Sequence, residues 1–170
     1  MQKRREIISW TDLTRLVDHL IPQFDKSYSC ILAVNQSAII PASLVAEAMG
    51  VRHIFLISVH FPLDMQLNPG DPLSIEWPVF SQFPQAEQLH RHELLLLSEH
   101  WHSGREVLAS QARLEREGFS ADCAALHFDP SENRLEGSVP RFYAARTVAE
   151  IIYPWQASTG FYPKMVGHLK

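Results

Sequence analysis

Short, almost wholly apolar runs alternating with helical patterns constrain this chain more than any other feature. CILAVN (30–35), RHIFLISV (52–59), LLLL (94–97), ADCAALHF (121–128) and AEIIY (149–153) all have strand length. They lack the polar alternation of a half-exposed strand, as strands covered on both faces do. Helical patterns lie between them. Trp10, Leu13, Leu16, Val17 and Leu20 recur at helical spacing behind a Ser9–Asp12 start. IIPASLVAEAMG (39–50) tolerates Pro41 in its first turn and stops at Gly50, and REVLASQARLERE (105–117) stops at Gly118. The order predicts an α/β protein with a mostly parallel sheet covered on both faces.

At 170 residues and 46% hydrophobic composition, one domain spanning 1–170 with a sizeable core is expected. A net charge of −4 without a basic stripe gives no reason to expect nucleic acid as a partner. No apolar run approaches the roughly 18 residues of a membrane helix, and MQKRREI leads into no apolar signal region. Cys30 and Cys123 lie in strand-like runs and read as core thiols, so a cytoplasmic protein is expected.

Residues 60–93 break the pattern. They hold five of the eleven prolines, with Trp77, Phe80 and Phe83 among them, a density that blocks helix and central strand alike. A mobile or interface loop is expected there, either a binding surface or a loop packed on its own domain.

In an open parallel sheet, ligands collect beyond the carboxyl ends of the strands. SEHWHSGRE (98–106) falls there, between the leucine run and the helix opening near Arg105. Ser103 and Gly104 offer a hydroxyl and open amides to an anion at that helix start.

The stretch resembles the phosphoribosyl diphosphate loop of type I phosphoribosyltransferases: four apolar residues, two acids, two apolar residues, then Asp or Thr, Thr, Gly, any residue, and Thr or Ser. IISWTDLTRLVDHL resembles the opening helix of the family's purine branch. ILAVNQSAIIPASLVAEAMGVRHI resembles its strand, pyrophosphate loop and helix, and VPRFYAARTVAEIIYPWQ its closing segment. The resemblance covers about 150 residues. It implies a Rossmann-like phosphoribosyltransferase fold with a small hood (140–170) and a long loop after the second strand. It also implies transfer of ribose 5-phosphate from Mg-bound phosphoribosyl diphosphate to a purine-like base.

Carried across by position, the resemblance places Ser98 and Glu99 on the ribose hydroxyls, and Ser103, Gly104, Arg105 and Glu106 at the phosphate. His102 falls near the base, which makes His102 and Glu99 the candidate catalytic residues. Asn35, Gln36, Ser37 and Ala38 form the pyrophosphate loop, and Glu150, Tyr153 and Trp155 the base hood. Several residues depart from the family. One ribose acid has become Ser98. The last hydroxyl of the phosphate cradle has become Glu106, whose carboxylate repels a phosphate about 4 Å away by roughly 4 kcal/mol at an effective dielectric near 20. Asn35–Ala38 keep neither a glycine nor a cation. Weakened or lost transferase activity is therefore expected, and whether the chain is an enzyme at all stays open. The alternative is a nucleotide-sensing or partner-binding module on the same fold. The expected partners are a small nucleotide or phosphoribosyl diphosphate and a second copy in a homodimer, with Mg²⁺ only if the diphosphate binds.

Nine histidines raise the question of a metal. His90 and His92 lie roughly 25 Å from His100 and His102 if the chain between is extended at about 3.3 Å per residue. The two pairs cannot share an ion, and no resident metal is expected.

Overall fold

A computed structural model describes residues 3–61, 77–132 and 138–158. The chain runs β1 (Arg5–Ile7), α1 (Trp10–Leu20), β2 (Cys30–Val34), α2 (Ile39–Met49), β3 (His53–His60), β4 (Val79–Gln82) and α3 (Ala86–Leu89). It continues through β5 (Leu94–Trp101), α4 (Arg105–Arg116), β6 (Ala121–Phe128), β7 (Phe142–Arg146), β8 (Glu150–Ile152) and α5 (Pro154–Ser158). One six-stranded sheet has the order β4-β3-β2-β5-β6-β7, and only β4 is antiparallel to its neighbour. β1 and β8 pair as a small parallel sheet of their own. This is the α/β architecture that the apolar runs predict.

Two cores explain why those runs are apolar throughout. Ile31, Ala33, Leu95 and Leu97 face α1 and α2, packing on Leu13, Val17, Ala42 and Val45. Cys30, Leu32, Leu94 and Leu96 face the other way, onto Val107 and Leu114 of α4. Alternate residues of one strand thus enter different cores, and neither face has room for a polar side chain. Cys30 and Cys123 are buried free thiols, and burial pushes both up to about 12. α1 begins as its sequence predicts: the Ser9 hydroxyl accepts the Asp12 amide at 3.2 Å, and the Asp12 carboxylate accepts the Ser9 amide at 2.9 Å.

The structure departs from the sequence reading in several places. β5 does not end at Leu97 but runs on through SEHW to Trp101, so only His102–Gly104 separate it from α4. The side chain of Trp101, 1% exposed, anchors that extension in the α4-facing core. Within 60–93, Val79–Gln82 forms a strand and Ala86–Leu89 one helical turn. The strand is at the sheet edge, where prolines on either side do no harm. Residues 62–76, the centre of the expected loop, lie outside the described residues. AEIIY joins the small sheet with β1, and the main sheet takes β7 at its edge. Among the described residues no helix is long and apolar enough to cross a membrane.

Candidate functional site

The strand order fixes where a site can form. From β2 the chain crosses through α2 to β3 on one side, whereas β5 and β6 lie on the other. The connections after β2 and β5 therefore diverge and leave a crevice between them. Asn35, Gln36 and Ser37 line it on one side and Glu106, in the first turn of α4, on the other.

Asn35 begins the first loop with φ 65° and ψ 167°, a conformation that is essentially glycine's. The sequence shows no glycine to take such a conformation, and the chain adopts it regardless. Three hydrogen bonds hold it. The Asn35 amide donates to the Ile57 carbonyl (2.8 Å), its side-chain oxygen accepts the Val59 amide (2.9 Å), and its carbonyl accepts the Ala38 amide (3.2 Å). Backbone strain over-determined in this way is characteristic of functional sites.

Two carboxyl groups, from β5 and the first turn of α4, lie against the first loop. Ser37 lies beside Glu99 and Asn35 beside Glu106, each close enough to favour the ionised carboxylate. Burial raises the Glu99 carboxyl to about 7, partly opposed by Ser37 and reinforced by the nearby charge of Glu106. Glu106 is also raised, by desolvation first, although the residue as a whole stays exposed. Glu99 Oε2 is buried without a hydrogen-bond partner among the described residues. Two acids whose environments favour the protonated form thus occupy the crevice.

A cavity of about 700 Å³ opens beside them. Asn35, Gln36, Ser37 and Ile40 line it from the first loop and α2, Ser58, Val59 and His60 from the end of β3, and Glu106, Trp155 and Gln156 from α4 and α5. No lysine or arginine is among these described residues. The contributions of Ser58, His60 and Gln156 carry no motif. The signal for the first two was their position at the carboxyl end of the strand next to β2.

The other predicted residues are placed as follows. Ser98 is buried and its hydroxyl donates to the His100 carbonyl (3.0 Å), within its own strand. His102 stacks on His100, centroids 3.7 Å apart, and does not line the cavity. The Ser103 hydroxyl accepts the Arg105 amide at 3.4 Å, and the Arg105 guanidinium lies 4.0 Å over the Phe61 ring. Gly104 has φ +73°, and a Cβ there would lie 2.5 Å from the Trp101 indole nitrogen. Its bare backbone admits the tryptophan, whatever else it admits. Ala38 is buried in the core.

Of the hood residues, Trp155 lines the cavity and Tyr153 stacks beneath it at 4.7 Å. Glu150 is away from the cavity, its carboxylate held by Arg5 at 2.7 Å. The Tyr153 hydroxyl donates its one proton to the Glu99 carbonyl (2.7 Å), so His127 Nδ1, 2.8 Å away, must be the donor to it. Burial keeps His127 neutral by pushing it down to about 4. The hood and the ribose-loop strand are thereby locked together behind the cavity.

No protein-family model matches the sequence, and no curated protein does. Solved structures do resemble it. A purine phosphoribosyltransferase from Pyrococcus horikoshii Ot3 superposes with a TM-score of 0.70 at 20% identity, over 89% of this chain and 93% of the other. A hypothetical protein from Neisseria gonorrhoeae with bound ppGpp gives 0.74 at 20% identity, over 91% and 90%. The xanthine-guanine-hypoxanthine phosphoribosyltransferase of Helicobacter pylori gives 0.68 at 11%, over 95% and 99%. The fold is that of the type I phosphoribosyltransferases, as the sequence resemblance implies.

Mg-bound phosphoribosyl diphosphate, the substrate that the sequence resemblance implies, would face Glu106 and no lysine or arginine among the described residues lining the cavity. A diphosphate is held by cations or open amides, and the first loop, Asn35–Ala38, carries no cationic side chain.

Proposed function

We propose that this protein uses a phosphoribosyltransferase fold to bind the nucleoside part of a purine nucleotide as a sensing module, without performing the transfer. The observation that carries the reading is Glu106, an acid lining the cavity at the position where the family places the last hydroxyl of its phosphate cradle.

Such a site favours neutral, hydroxyl-rich ligands. A carboxyl group accepts hydrogen bonds from a ribose diol, and a protonated one also donates. Trp155, braced by Tyr153, gives the cavity an aromatic wall against which a purine can stack. Gln36, Ser58 and His60 supply polar groups for its edge. The ppGpp held by the Neisseria protein supports a purine nucleotide as the ligand class here.

The test has two parts. Calorimetric titration with guanosine and inosine should show binding, stronger than that of the corresponding 5′-monophosphates at neutral pH. Incubation with phosphoribosyl diphosphate, Mg²⁺ and each purine base should release no pyrophosphate. Turnover with any base would overturn the reading, and so would failure of every nucleoside and nucleotide to bind.

A further inference from the structure

Beyond the nucleoside reading, and independently of it, we infer that His100, His102 and Asp129 form a binding site for a transition-metal ion, with Zn²⁺ as the ion their donor set suits. One ligand atom from each of the three lies within 4.8 Å of the other two. None of the three lines the nucleoside cavity.

The fold explains the convergence. β5 and β6 run parallel, with His100 opposite His127 and Trp101 opposite Phe128. The Asp129 amide then donates to the Trp101 carbonyl at 2.9 Å, which fixes Asp129 against the end of β5. Trp101 turns into the α4-facing core, and the histidines on either side of it emerge together, their rings 3.7 Å apart and 27° from parallel. Spacing along the sequence compares histidine with histidine. It could not reveal a carboxylate brought in from the next strand.

Two further observations point to a cation. His100 Nε2 is buried with no hydrogen-bond partner among the described residues, an arrangement that is costly unless something accepts its lone pair or its proton. Asp129 is a fully buried carboxylate already neutralised by a positive charge, the Lys3 ammonium 2.7 Å from Oδ2. Lys3 also reaches Glu132 at 2.8 Å, so it keeps a partner if an ion takes its place on Asp129. The remaining Asp129 oxygen accepts the amide and hydroxyl of Ser131, which orients the carboxylate as outer hydrogen bonds orient metal ligands.

Two imidazoles and one carboxylate with a fourth position left to water match the donor sets of Zn²⁺ and its neighbours, not those of Mg²⁺ or Ca²⁺, which prefer oxygen. Donor atoms around a tetrahedral zinc lie about 3.3 Å apart, so binding draws the cluster in by at most about 1.5 Å.

The test is titration of the full-length, chelator-treated protein with Zn²⁺, repeated with Co²⁺ as an absorbing probe of coordination and with Mg²⁺ as a control. One Zn²⁺ per chain, a four-coordinate Co²⁺ spectrum and no Mg²⁺ uptake are expected. His102→Ala alters an exposed residue, so the fold survives, and it should weaken Zn²⁺ uptake at least about a hundredfold. Lys3→Met removes the competing ammonium and should tighten uptake about tenfold. His92→Ala, at the far end of β5, should change nothing. Absence of Zn²⁺ uptake, uptake unaffected by His102→Ala, or uptake equally sensitive to His92→Ala would overturn the site. A Lys3→Met protein that binds no more tightly would overturn the exchange between lysine and metal.

Discussion

The Asn35 side-chain oxygen accepts the Val59 amide at 2.9 Å across the carboxyl ends of β2 and β3. Together with two bonds of the Asn35 backbone, this bond holds a non-glycine residue in a glycine conformation at the mouth of the crevice, and it satisfies the amide of a residue only 2% exposed. Asn35→Ala keeps the strain and orphans that amide, at a cost of about 1–3 kcal/mol. Asn35→Gly orphans the same amide but relieves backbone strain of similar size. Chemical denaturation should therefore find the glycine variant more stable than the alanine variant by about 1–2 kcal/mol. The reverse order would mean that the strain is not real.

Gly104 makes a different demand. With φ +73° and the Trp101 ring within 2.5 Å of any added Cβ, Gly104→Val should destabilise the whole fold by at least about 3 kcal/mol. Thermal unfolding measures this directly. A variant with normal stability that had lost only ligand binding would show that Gly104 serves the ligand and not the packing of Trp101.

Glu99 gives the protein a pH signature. Its folded-state value of about 7 stands above the ordinary 4.5, so the folded protein binds more protons than the unfolded chain between those values. The favourable term is complete below about pH 4.5 and is lost as pH rises through 7. Glu99→Gln mimics the protonated acid and has no such loss. Its stability relative to wild type, measured with chelator present, should rise between pH 5 and 8 by up to about 3 kcal/mol. A difference that stays flat with pH would mean that Glu99 is not held in a proton-retaining environment.

The framework was legible because its determinants are local. Ser9 and Asp12 cap α1 as their spacing predicts, and each apolar run is a strand because both sheet faces are covered. The failures share a non-local cause. The polar SEHW stretch is strand only because β6 pairs with it and Trp101 anchors it. β1 is three residues long and exists only through β8.

The same division runs through the site. Asn35, Gln36, Ser37, Glu106 and Trp155 were found by position and do line the cavity. That Ser37 and Asn35 would lie beside the acids of β5 and α4 depends on the strand order, which no single segment encodes. Asp129 lies next to the histidines of β5 for the same reason.

The central claim is that carboxyl groups in the crevice bar the diphosphate. It is tested most directly by titrating wild type and Glu106→Thr side by side with phosphoribosyl diphosphate and Mg²⁺ near pH 7.5. Wild type should bind weakly, and the threonine variant at least about fivefold more tightly, since even a solvent-screened charge about 4 Å away costs roughly 1 kcal/mol. Tight binding by wild type, undiminished by Glu106, would contradict the account and return the protein to the transferases.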